Sequence, residues 1–70
     1  MMPLKLADIG ATLIIRKIGG SPEVKKHLEN LGFTIGGEIS IVNSLSGNLI
    51  VKVKESRVAL SDELAAKIMI

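Results

Sequence analysis

The sequence predicts a mainly β fold with short helices: a small β-barrel carrying one helix inserted after its first strand. Three observations point there. Stretches of β-branched or alternating apolar residues lie at 12–18, 38–43, 49–54 and 57–60. One helical stripe, Val24, Leu28 and Leu31, falls between the first stretch and the second. The chain has 70 residues, room for a single domain with a single core.

Leu4, Leu6 and Ile9 open the chain as an apolar lead-in that turns at Gly10. Residues 12–18 (Thr-Leu-Ile-Ile-Arg-Lys-Ile) form the first strand, with Leu13 and Ile15 inward; Ile18 joins them only through a bulge that shifts the phase. Gly19-Gly20 ends it. Ser21 supplies a hydroxyl that can cap a helix, and Pro22 suits the first helical position, where its missing N–H would have had no helical partner. Val24, Leu28 and Leu31 then turn one apolar stripe inward while Lys25, Lys26, Glu29 and Asn30 face water. Gly32 stands at the helix end, where a left-handed residue is common and glycine adopts it without steric penalty.

Gly36-Gly37 turns the chain into 38–43, where Ile39 and Ile41 share a buried face. Residues 44–48 form a turn, and 49–54 alternates again with Leu49, Val51 and Val53 on the apolar side, so the two strands make a hairpin. A tight turn at Glu55-Ser56 leads to 57–60, the last barrel strand. Ser61 caps a final helical turn in which Asp62 and Glu63 meet the positive end of the helix dipole and Leu64 and Ile68, four residues apart, pack back. Apolar residues at both ends tie the termini to the barrel.

Composition narrows the function classes. Without cysteine there is no disulfide framework and no thiolate-held zinc or iron–sulfur centre, and one histidine excludes a multi-histidine site. Hydrophobic residues make up 47% of the chain, and the mean hydropathy of +0.44 is high for a free-standing soluble domain. No apolar run approaches the roughly 20 residues of a membrane helix. The N-terminus meets charge too early for a signal peptide, so a cytoplasmic location is expected. The apolar excess must then be core, or an exposed patch that expects a partner. A net charge of +2, one phenylalanine and no tyrosine or tryptophan serve nucleic-acid binding poorly.

No catalytic constellation emerges, and no cofactor or metal is expected. Glu23 and His27, one helical turn apart, could offer two metal ligands, but no other carboxylate stands at ligand spacing, and an exposed polar helix face is the plainer reading. The serines fall in turns, caps and strand faces. Gly19-Gly20 lacks the lysine and Ser/Thr of a P-loop, and neither glycine pair forms a dinucleotide fingerprint. Lys25-Lys26 reads as a solubilising pair, and Arg16 and Arg57, the only arginines, as solvent-facing strand residues.

Taken in order, Leu4 with Leu6-Ala7-Asp8-Ile9-Gly10, Ile18-Gly19-Gly20, Lys25-Lys26-His27-Leu28-Glu29-Asn30-Leu31-Gly32-Phe33 with Gly36, Arg57-Val58-Ala59-Leu60, and Leu64-Ala65-Ala66-Lys67-Ile68 resemble the FeoA family over nearly the whole chain. Each block is weak alone; their order and spacing carry the likeness. The turn at 44–48 departs from it, being shorter than in many members and without their proline. The resemblance implies an SH3-like barrel and a non-enzymatic cytosolic accessory of bacterial ferrous iron uptake that carries no iron itself. It also implies the cytoplasmic GTPase region of a FeoB-like membrane transporter as partner, with the contact mapped to Leu28, Leu31 and Phe33. The alternative is a free-standing regulatory module akin to the C-terminal domain of DtxR-type metal-dependent repressors. Weak self-association through an uncovered strand edge or the apolar helix is compatible with either.

Overall fold

Two antiparallel sheets wrap one apolar core. The structure, a computed structural model describing residues 1–70, opens with a short 3-10 turn at Leu4–Leu6. There follow β1 (Thr12–Ile14), β2 (Lys17–Ile18), α1 (Pro22–Asn30), β3 (Glu38–Leu45), β4 (Asn48–Val53), β5 (Ser56–Ser61), α2 (Asp62–Ala65) and β6 (Ile68–Met69). The larger sheet runs β1-β3-β4-β5 and the smaller pairs β2 with β6. The mainly β class and the helix inserted after the first strand stand as the sequence predicts. The sheets are not hydrogen-bonded into one closed barrel, since β1 and β5 remain the edges of the larger one.

The first strand is split in two. β1 pairs with β3 (Leu13 opposite Ile39), and the chain leaves that sheet after Ile15: the Ile15 N–H still donates to the Gly37 carbonyl at 2.9 Å, just ahead of β3, whereas the Arg16 N–H donates to the Met69 carbonyl at 2.8 Å. β2 then belongs to the second sheet, with Lys17 opposite Met69. This change of sheet is the phase shift that Ile18 required: Ile15 is buried and Ile18 half-buried against the core.

The β3–β4 hairpin is tighter than a five-residue turn. Leu45 pairs with Asn48, leaving Ser46-Gly47 as a two-residue loop with φ of +49° and +81°, the type I′ geometry whose twist matches the flanking strands. A bulge between Ile41 and Asn43 carries the extra residue. The next turn uses Lys54 and Glu55, one residue earlier than expected, because Ser56 pairs with Val53.

The C-terminal reading needs correction. Ser61 caps α2, its Oγ accepting from the Leu64 N–H at 3.2 Å, but the helix ends at Ala65 and Ile68 lies in β6, not on a continued helical face. The i, i+4 spacing of Leu64 and Ile68 is local, whereas β6 gains partners on both sides. Met69 and Ile70 meet β2 and the N-terminal segment, with Met2 and Ile70 exchanging N–H to O bonds of 3.0 and 2.9 Å. The termini are thus tied into the fold.

Twelve residues are buried, all apolar, from Leu4 in the lead-in to Ile68 in β6. β3 and β4 contribute alternate positions, Ile39 and Ile41, and Leu49, Val51 and Val53, and β5 adds Leu60. Leu28 from α1 and Ala65 from α2 add the helical share.

Candidate functional site

The helix α1 and the turn that follows form the surface to which the sequence points. The Ser21 Oγ accepts a hydrogen bond from the Val24 N–H at 3.3 Å, with Pro22 in the first helical turn, so the start is capped as its sequence predicts. At the other end the Phe33 N–H donates to the Leu28 carbonyl at 3.0 Å and the Gly32 N–H to the Glu29 carbonyl at 2.9 Å, with Gly32 at φ +107°. These two bonds define a Schellman motif, which satisfies carbonyls the helix would otherwise leave free and brings the residue after the glycine back against the last turn.

That geometry decides the fate of the three expected contact residues. Leu28 and Phe33, the hydrophobic pair of the Schellman motif, are both 0% exposed and belong to the core. Their side chains are therefore not at the surface of the free chain: the motif that makes them conspicuous in sequence is what buries them. Leu31 is half-buried at the helix end.

The exposed apolar group here is Ile35, at 70%. It borders a shallow cleft of about 250 Å³ with Ile18, Lys25, Glu29, Phe33 and Thr34. Phe33 gives the cleft a rigid apolar floor. Lys25 and Glu29, one helical turn apart, set one cation and one anion on its rim. Ile35 escapes sequence reasoning because it has no periodic partner; its one signal is a β-branched residue standing just ahead of two turn glycines.

Two further depressions lie elsewhere. One, about 480 Å³, is lined mainly by Met1, Met2, Leu13, Ile14, Arg16 and Ile70, beside the free edge of β1. The other, about 410 Å³, is mostly polar and lies over the outward face of the larger sheet. Glu23 and His27 are exposed on α1, and no three His, Asp or Glu side chains converge as metal ligands anywhere in the chain. No helix is long and apolar enough to cross a membrane.

Comparison with known proteins is consistent across sequence and structure. The family model described as "FeoA domain" matches residues 2–70. A relative from Methanocaldococcus jannaschii that bears the provisional name Fe(2+) transport protein A is 31% identical over 70 residues, all of this chain and 85% of the relative. A crystal structure of an iron uptake regulatory protein, FeoA, superposes with a TM-score of 0.89 at 29% identity, over 97% of this chain and 90% of the other. A zinc complex of FeoA from Stenotrophomonas maltophilia, characterised as an SH3 domain protein, superposes at 0.85 with 21% identity, over 99% and 88% of the two chains. A manganese-dependent transcriptional repressor superposes at 0.84 with 17% identity, over 94% of this chain but 38% of the repressor; at that identity the likeness is one of fold alone.

Proposed function

Since the chain belongs to the FeoA domain family of ferrous iron transport, we propose that it acts there as a non-enzymatic accessory, docking on the cytoplasmic GTPase region of a FeoB-like transporter. The observation that carries this reading is the cleft beneath Ile35. A large apolar side chain stands 70% exposed beside a rigid floor and a charged rim, an arrangement that packing within the chain does not use. Anchors of this kind, an apolar group set in a polar surround, are where interfaces concentrate their affinity. Leu28 and Phe33 act from below, Phe33 as part of the cleft's lining and Leu28 by packing in the core, and Leu31 lies at the helix end outside the cleft.

Titration of the transporter's purified GTPase domain with this protein, in the GDP-bound and GTP-analogue-bound states, tests the proposal. Ile35→Asp is expected to weaken binding about tenfold or more, the effect of losing an interface anchor. Ile9→Asp, at an exposed apolar position outside the cleft, leaves binding unchanged. Absence of binding in both nucleotide states overturns the reading. Equal loss in the two variants moves the interface away from the cleft.

A further inference from the structure

The outward face of the larger sheet carries a row that the docking surface does not explain. In register across four strands stand Thr12, Ser40, Lys52 and Arg57, one residue from each of β1, β3, β4 and β5. All four turn away from the core, whose inward positions are Ile39, Val51 and their neighbours. The groove of about 410 Å³ over this row is lined by Thr12, Thr34, Ser40, Lys52, Lys54 and Glu38 among others, three hydroxyls and two ammonium groups against one carboxylate.

Two features of this face work against the stability of the free protein. Lys52 and Arg57 are directly opposite one another on neighbouring strands, and like charges in that position repel. Lys54 holds a left-handed backbone at φ +55°, where a non-glycine residue is strained. None of the three cations is in an ion pair, although Glu38 lines the same groove: the one ion pair in the structure is Lys5 Nζ to Asp62 Oδ2 at 3.5 Å, so Lys52, Lys54 and Arg57 have no acidic oxygen within 4.0 Å. Locally unfavourable choices that gather on one face are the signature of a site whose ligand offsets them.

We propose that this groove is a binding site for a small phosphate-bearing anion. Lys52 near the end of β4 and Lys54 in the turn that follows both line the groove and act as point charges for separate phosphoryl oxygens, the mode in which lysine recognises phosphate. Arg57, opposite Lys52 on the neighbouring strand but outside the groove's lining, adds its charge at longer range. The Thr12 Oγ1 and Ser40 Oγ, hydrogen-bonded to each other at 3.3 Å, leave one hydroxyl proton free to donate at the other end of the row. Cations at one end and hydroxyls at the other suit a group with several tetrahedrally disposed acceptors. The composition that disfavours nucleic acid, with no aromatic side chain lining the groove, does not bear on a small anion.

Amide chemical shifts of the isotope-labelled protein, titrated with inorganic pyrophosphate and separately with ATP at constant ionic strength, provide the test. Saturable shifts are expected at Thr12, Ser40, Lys52, Lys54 and Arg57. Additional shifts with ATP at residues beyond the row identify a phosphate ester as the ligand, and equal responses identify the phosphate chain alone. Lys52→Gln weakens binding about tenfold, the loss of one charge-assisted contact, and Arg57→Gln weakens it by less, whereas Lys26→Gln on α1 does not. The same two substitutions raise the melting temperature of the free protein by a few degrees, because the opposed cations no longer repel, while reducing the rise that a given pyrophosphate concentration produces. Shifts that grow linearly without saturating, equal weakening by Lys26→Gln, or tighter binding of a short oligonucleotide than of pyrophosphate overturn the proposal.

Discussion

At the scale of single residues, the fold depends on a few backbone positions that only certain side chains tolerate. The β3–β4 turn holds Ser46 at φ +49° and Gly47 at φ +81°. Glycine accepts the second position freely, but serine in the first adopts a conformation that costs an L-residue about 1 kcal/mol. Asparagine tolerates it better, and Asn-Gly is the preferred pair for this turn type. Ser46→Asn is therefore expected to stabilise the protein by roughly 0.5 kcal/mol, read as a higher midpoint in urea with unchanged slope. The side chain is exposed at the hairpin tip, so no packing term offsets the gain. Destabilisation by the substitution would mean that the serine hydroxyl contributes something the turn geometry does not.

The elements differ in how far the sequence determines them. α1 is legible from its punctuation: Ser21 caps it, Pro22 starts it and Gly32 closes it, all within the chain's own local chemistry. β3 and β4 are legible from alternation, since Ile39, Ile41, Leu49, Val51 and Val53 each lie inward as their period requires. β2 and β6 are not, because two-residue strands have no period and exist only through each other. The candidate site divides the same way. Leu28 and Phe33 are conspicuous because they are core, and Ile35, the exposed residue, is set by where the turn points it. The weight of the Schellman motif can be measured directly. A Cβ at Gly32 would sit 3.7 to 3.8 Å from Val53 and Lys54, ordinary contact, so Gly32→Ala tests backbone conformation and not crowding. A loss of about 1–2 kcal/mol is expected by denaturant unfolding, the cost of the left-handed backbone for an L-residue. A negligible loss would show that the helix end relaxes to another cap.

At the scale of the whole molecule, the apolar excess is divided between one core and several exposed groups, and the chain's ends complete the smaller sheet. The sequence suggests that the termini are held, but not how, because pairing between residues some 66 apart has no local signal. Met2 and Ile70 exchange two backbone bonds, and Met69 accepts a third from Arg16 at the point where the first strand changes sheets. At about 0.5–1.5 kcal/mol for each bond, their loss amounts to roughly 2–4 kcal/mol. A chain of this length has only about 4–10 kcal/mol in all. Deleting Met69 and Ile70 is thus expected to remove a large part of the stability, measured by urea unfolding. Deleting Met1 and Met2 should cost less, because it spares the bond to Arg16. The two deletions break the same Met2–Ile70 bonds, so their effects cannot add: the double deletion should cost little more than the C-terminal one alone. Additive losses would mean that each end is held by separate contacts and that the terminal pairing contributes little to the fold.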